Sequence, residues 1–180
     1  MITVICGTNR KGSKTNIIAS YYYEYLKSQS KEAVNYINLE DISPDFYHDA
    51  MYNADDQSSS LSEIQDNYIT PADKFVVVSP EYNGSYPGIL KFFLDACSIR
   101  NYKPTFAGKK TALVGVASGR AGNIRGMDHL TGVFNHVGSI VMPESLPVSG
   151  VSSLLNKENE LVNEDAQNAL KAHADKFLRF

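Results

Sequence analysis

Three runs in this chain are apolar on consecutive residues rather than on alternate ones: "ITVIC" (2–6), "KFVVVS" (74–79) and "KTALVGVAS" (110–118). A strand with one wet face alternates, so a continuous Val- and Ile-rich run reads as a strand buried on both faces. Such strands need cover on both sides, and the segments between them supply it. From Lys14 to Ser28, apolar residues fall at Ile17, Ile18, Tyr21, Tyr22, Tyr25 and Leu26, the spacing of a helix with one core face. "ILKFFLDAC" (89–97) is a helix apolar nearly all round, entered through Pro87 and Gly88, since proline is tolerated in a first turn. From Ile124, a further stripe runs through Met127, Leu130, Val133, Phe134 and Val137. A last helix over 163–178 carries Ala166, Ala169, Leu170, Ala174 and Phe177 on one side. "AVNYINL" (33–39) and "SIVM" (139–142) read as further strands, the second stopped by Pro143. The stretch between 40 and 65 is polar and turn-rich, with a short helix starting near Leu61.

Alternation of strand and helix means an α/β fold with a parallel sheet. Five strands suit the flavodoxin-like doubly wound order, 2-1-3-4-5, with helices on both faces and ligands at the carboxyl ends of the strands. With 180 residues, 43% of them hydrophobic, residues 1–180 make one domain. The net charge is -3 and no Lys/Arg stripe forms, which argues against a nucleic-acid partner. "MITVIC" is too short for a leader and no apolar run approaches the ~18 residues of a membrane span, so a cytoplasmic protein without a membrane role is expected. Cys6 and Cys97 lie far apart in apolar surroundings and read as buried, reduced thiols. His129 and His136 share a helical face without a third ligand, so no metal site is expected. Tyr21, Tyr22 and Tyr23 divide between core and surface.

The carboxyl edge is formed by three loops. After the first strand comes "GTNRKGSKTN" (7–16), which nearly spells a triphosphate loop. Ser13 intrudes, so Lys14 and Thr15 arrive one residue late and lose the register that an ATP site requires. No strand ends in a convincing Asp for Mg²⁺; Asp41, close to Pro44, reads as a turn residue. A loop feeding a helix N-terminus is nonetheless an anion site. Gly7 and Gly12 let the backbone bend towards a ligand. Thr8, Ser13, Thr15 and Asn16 offer neutral donors, and Arg10 a bidentate charged one. A monophosphate fits this set better than ATP, and Lys14 becomes an ordinary first-turn residue. The alternative is plain helix capping by Ser13 or Thr15 with Arg10 in solvent.

After the third strand comes "SPEYNGSYPG" (79–88), polar and aromatic between two buried elements. Asn83-Gly84 turns the chain sharply. The exposed backbone groups suit a flat ring with amide-like edges, and Tyr82 offers it an aromatic face; an ordinary βα turn with a cap is the alternative. After the fourth strand, "ASGRAGNIRG" (117–126) permits close backbone approach through its glycines and Ser118, with Arg120 available to an anion or a reduced ring. A flexible loop with Arg120 and Arg125 in solvent is the alternative.

Together these motifs resemble the NAD(P)H-dependent FMN reductase family, which includes quinone, azo-dye and chromate reductases. "PEYNGSYPGILKFFLDA" (80–96) carries most of the likeness, and "GTNRKGSKTN" is similar to the family's phosphate loop. The resemblance implies that Thr8, Arg10, Ser13, Thr15 and Asn16 hold the FMN phosphate. Pro80, Glu81, Tyr82, Asn83, Gly84 and Ser85 would line the isoalloxazine, and Ser118, Gly119 and Arg120 approach it from the third loop. Two departures stand out: Thr15 adds a residue before Asn16, and Ala121-Gly122-Asn123 replaces adjacent glycines.

The implied activity is electron transfer from NADPH or NADH through bound FMN to a small oxidised acceptor by a ping-pong route. Binding and orientation come from the protein and the redox chemistry from the flavin, so no side chain is assigned as catalytic. The resemblance further implies a homodimer or homotetramer. A non-enzymatic flavodoxin-type carrier is the alternative, but the basic Arg10, Lys11, Lys14, Arg120 and Arg125 of the loops favour the enzyme. An ATP-using phosphohydrolase or kinase built on residues 7–15 is the third reading.

Overall fold

The computed structural model describes residues 1–180. The elements are β1 (Ile2–Cys6), α1 (Lys14–Gln29), β2 (Val34–Asn38), α2 (Ser59–Ile64), β3 (Lys74–Pro80), α3 (Gly88–Cys97), α4 (Tyr102–Phe106), β4 (Lys110–Val116), α5 (Ile124–His136), β5 (Ile140–Val141), β6 (Leu146–Val148) and α6 (Glu164–Arg179). All strand pairs are parallel, in the order β2-β1-β3-β4-β5, with β6 also paired to β4. The expected doubly wound order is therefore present.

Successive strand residues point to opposite faces, and both faces are covered. Ile2, Val4 and Cys6 join Val76, Val78, Ala112 and Val114 against Ile18, Tyr22 and Leu26 of α1 and Leu170, Ala174 and Phe177 of α6. Ile5, Phe75, Val77 and Leu113 face the other way, against Leu90, Phe93 and Leu94 of α3 and Met127, Leu130 and Phe134 of α5. Every residue of β1 is buried, which is why no polar alternation marks it. Cys6 and Cys97 are buried free thiols. Of the tyrosine run, Tyr22 is fully buried while Tyr21 and Tyr23 are half-buried.

Two expectations need correction, and the short helix near Leu61 is present but extended. The fifth strand was expected over 139–142, but only Ile140–Val141 pairs with β4 before Pro143, and pairing resumes at Leu146–Val148. Pro143 cannot donate to the ladder, so the edge strand breaks there and pairing resumes further along β4, at Val114. The helix near Leu61 widens into a π-helical turn over Gln65–Ile69, whose carbonyl end is capped by the buried Lys109, with Nζ donating to Ile69 O at 3.0 Å and Thr70 O at 2.6 Å. Burial lowers the Lys109 ammonium to about 8. In the last helix Ala169 faces solvent and His173 takes a core position. No helix is long and apolar enough to cross a membrane.

His173 ties α6 to the rest of the molecule. Its Nε2 lies 2.9 Å from the Glu144 carbonyl, which can only accept, so Nε2 carries the proton. Nδ1 then accepts from the buried Tyr22 hydroxyl at 2.8 Å. Burial lowers the imidazole below its ordinary value of 6.5. The neutral ring is thus the folded form. Its contribution is complete above 6.5 and is lost as pH falls from there towards the depressed folded value. Urea unfolding at pH 7.5 and pH 5 should show stability falling with acid, and His173→Asn should flatten that difference; an equal fall in the variant would place the proton uptake elsewhere.

Candidate functional site

Parallel pairing brings the loops after β1, β3 and β4 to one edge, where they surround a cavity of about 270 Å³. Its walls come from Thr8, Arg10, Lys11, Gly12, Ser13, Lys14 and Thr15 of the first loop, Pro80, Glu81 and Tyr82 of the second, and Val116, Ala117, Ser118 and Val151.

The first loop is shaped by local hydrogen bonds. The Arg10 amide donates to Thr8 Oγ1 at 3.2 Å, turning the chain back on itself. Gly12 sits at φ +62, where a side chain would be strained. Ser13 caps α1, its Oγ accepting from the Asn16 amide at 3.2 Å. Capping and facing the cavity are therefore not alternatives for Ser13, which does both, and Arg10 is exposed. Gly7 also makes room for α3, since a Cβ there would lie 2.8 Å from Leu90 Cδ2.

The second loop holds Asn83 at φ 52 and Gly84 at φ 78, between the mutual backbone bonds of Tyr82 and Ser85. Two positive φ values in succession make a type I′ turn, which Asn-Gly favours. The two loops then meet directly, with Thr8 Oγ1 and Tyr82 Oη 2.8 Å apart. The second loop is also anchored by the Glu81 amide, which donates to Val116 O at 2.9 Å.

Eight of the expected residues line the cavity: Thr8, Arg10, Ser13, Thr15, Pro80, Glu81, Tyr82 and Ser118. Six stand elsewhere. Asn16 turns towards β2, its Oδ1 accepting from Tyr36 Oη at 2.5 Å. Asn83, Gly84 and Ser85 form the turn beyond the cavity, where Ser85 Oγ lies 2.8 Å from His129 Nδ1 of α5. The Gly119 carbonyl accepts from the Gly150 amide, and Arg120 is exposed, its carbonyl held by Ser149 Oγ at 2.7 Å.

Sequence reasoning missed several residues that matter. Lys14 is more than a first-turn residue: it lines the cavity, and its Nζ donates to Ser152 Oγ at 2.6 Å. Val151 reaches the wall because its amide donates to Ala117 O just after β6, a strand too short and proline-containing to be seen in the sequence. Asn123 is wholly buried and donates through Nδ2 to Ser79 O at 3.0 Å and Pro80 O at 2.9 Å. It thereby braces the second loop from the third. Gly115 allows this approach, since a Cβ there would lie 2.2 Å from the Gly122 carbonyl. A lone Asn before a helical stripe was the only available hint. Beneath the first loop, burial pushes the Cys6 thiol up to about 11, so it offers no thiolate at neutral pH.

The chemistry of the walls is two-ended. Arg10, Lys11 and Lys14 stand with the Ser13 and Thr15 hydroxyls in the first loop, which contributes no carboxylate; Glu81, in the second loop, is the one acid lining the cavity. Pro80, Tyr82, Val116 and Ala117 provide flatter, more apolar surface. Such a set fits an anionic phosphate joined to a planar ring.

Residues 1–152 match the family model described as NADPH-dependent FMN reductase. The chain belongs to that family. It is an oxidoreductase, and FMN and NAD(P)H are the expected cofactors. It is 29% identical over 182 residues to a quinone reductase of Pseudomonas putida, covering 98% of this chain and 91% of that one. It is 31% identical over 110 residues to a 2-hydroxy-1,4-benzoquinone reductase of Burkholderia sp, a match spanning 61% of this chain and 60% of that protein. The fold is similar to that of FerB, a flavoenzyme NAD(P)H:(acceptor) oxidoreductase from Paracoccus denitrificans, with a TM-score of 0.76 at 23% identity over 99% of this chain and 94% of that one. The carrier and ATP-using readings give way to this family.

Replacing Asn123 by Ala should remove its bonds to the buried Ser79 and Pro80 carbonyls and lower unfolding free energy by about 1–3 kcal/mol. Urea denaturation measures it, and a variant as stable as the wild type would show that the brace is dispensable.

Proposed function

We propose that this chain, acting as one flavin-binding domain over residues 1–180, passes electrons from NADPH or NADH to a small oxidised acceptor of the quinone class. The observation that carries the reading is the direct contact of the two loops, Thr8 Oγ1 to Tyr82 Oη at 2.8 Å, which joins the anion-binding and ring-binding segments in one cavity. Bound FMN supplies the redox chemistry. The first loop would grip its phosphate through Arg10, Ser13, Thr15 and Thr8, by charge-assisted and neutral hydrogen bonds. Pro80, Glu81 and Tyr82 would hold the ring edge, largely through the backbone that Asn123 braces, with Ser118 closing the third side. Asn16, Asn83, Gly84, Ser85, Gly119 and Arg120 would shape these loops from behind. Donor and acceptor would share one exposed face of the bound ring. They would use it in turn, which is the ping-pong order. The names of the quinone reductase relatives support the acceptor class. A homodimer or homotetramer in the cytoplasm remains part of the proposal.

The FMN-loaded protein should oxidise NADPH or NADH with benzoquinone, giving parallel double-reciprocal lines as quinone is varied. Intersecting lines would sink the ping-pong order, and no turnover the acceptor class. Arg10→Ala should weaken FMN binding by about tenfold, the worth of one hydrogen bond to a charged group, with the fold intact. Unchanged affinity by fluorescence titration would put the phosphate elsewhere.

A further inference from the structure

Lys14 is left without a role by the grip just described. It stands in the first turn of α1, where the helix dipole disfavours a cation, and no acidic residue shares that turn. Arg10 and Lys11 line the same cavity, and none of these cations belongs to an ion pair. The Lys14 ammonium finds instead a neutral hydroxyl, Ser152 Oγ at 2.6 Å, across 138 residues of chain. A hydroxyl satisfies one donor but leaves the charge uncompensated. Ser152 is exposed and adjoins Val151 on the cavity wall, so the bridge links α1 to the turn after β6. Lysine has a flexible stem and a point charge, suited to moving between partners.

We propose that Lys14 is a second cation for the terminal phosphate dianion of the cofactor, resting on Ser152 until the phosphate arrives, and that it makes the cavity select a phosphorylated flavin over an unphosphorylated one. This rests on the flavin reading above. Arg10 supplies directional, bidentate bonds. Lys14 supplies the remaining charge, and on engaging the anion it leaves Ser152, while the 151–154 turn stays held by the Val151 amide on Ala117 O. Ser152 serves as a holding site for the ammonium and contributes no binding energy of its own.

The test compares dissociation constants of FMN and riboflavin, which lacks the phosphate, for wild type, Lys14→Met and Ser152→Ala. Lys14→Met should weaken FMN by about tenfold or more and leave riboflavin within about twofold, while Ser152→Ala should leave both near wild type. Equal losses for the two flavins in Lys14→Met, or no loss for FMN, would overturn the proposal. So would a loss in Ser152→Ala as large as in Lys14→Met, because the bridge would then matter for packing. Inorganic phosphate provides a flavin-free arm: it should raise the thermal midpoint of wild type and not of Lys14→Met. Wild-type protein that binds phosphate through Lys14 but no flavin would sink the flavin reading and leave the phosphate role of Lys14 standing. Wild type and Lys14→Met stabilised equally would sink the role itself.

Discussion

Cys6 lies opposite Val78 in the sheet, and Val78 opposite Val114. This level parallel register is the constraint on which the rest of the molecule depends. Strands buried on both faces can shift only by exchanging their core sets, and β1, β3 and β4 are held by apolar residues above and below. Because β3 and β4 end opposite each other at Pro80 and Val116, and β1 ends close by opposite Val78, the loops that follow them leave the sheet side by side. Thr8 can then reach Tyr82, and the Glu81 amide can reach Val116 O. A cavity at that edge follows from the pairing before any ligand is considered.

What shapes the edge into a site is a set of backbone permissions. Asn83 and Gly84 accept left-handed geometry and fold the second loop back. Gly115 lets the carbonyl of Gly122 come close, and this in turn lets Asn123 cross to Ser79 and Pro80. The opposite wall depends on a break. Pro143 ends β5, the chain pairs again as β6, and Val151 is carried to the cavity mouth. The carbonyl of Glu144 at that break is held by His173, so the C-terminal helix supports the wall from outside.

Much of this was legible in the residues. The continuous runs at 2–6, 74–79 and 110–118 marked the central strands, since burial on both faces leaves a one-dimensional signature. The helical stripes of α1, α3 and α5 were equally plain. At the site, the loop from Thr8 to Thr15 and the segment from Pro80 to Tyr82 were both found, because loops after buried strands must lie at the edge. Less visible were Asn16, which turned to Tyr36, and Gly7, whose missing side chain serves α3. Both are decided by neighbours distant in the chain, which no local pattern records.

By itself, then, the sequence determined the α/β class, the strand order and the two loops that carry the chemistry, because hydrophobic periodicity and turn residues are local properties. The tertiary structure alone decided which donors face the cavity. It turned Lys14 towards Ser152 and Asn123 under the second loop, and it placed Val151 just past a strand of three residues. Those outcomes depend on contacts between residues up to 138 positions apart. Side-chain direction at such points is set by what fills the space opposite, and that is known only once the helices have packed on the sheet.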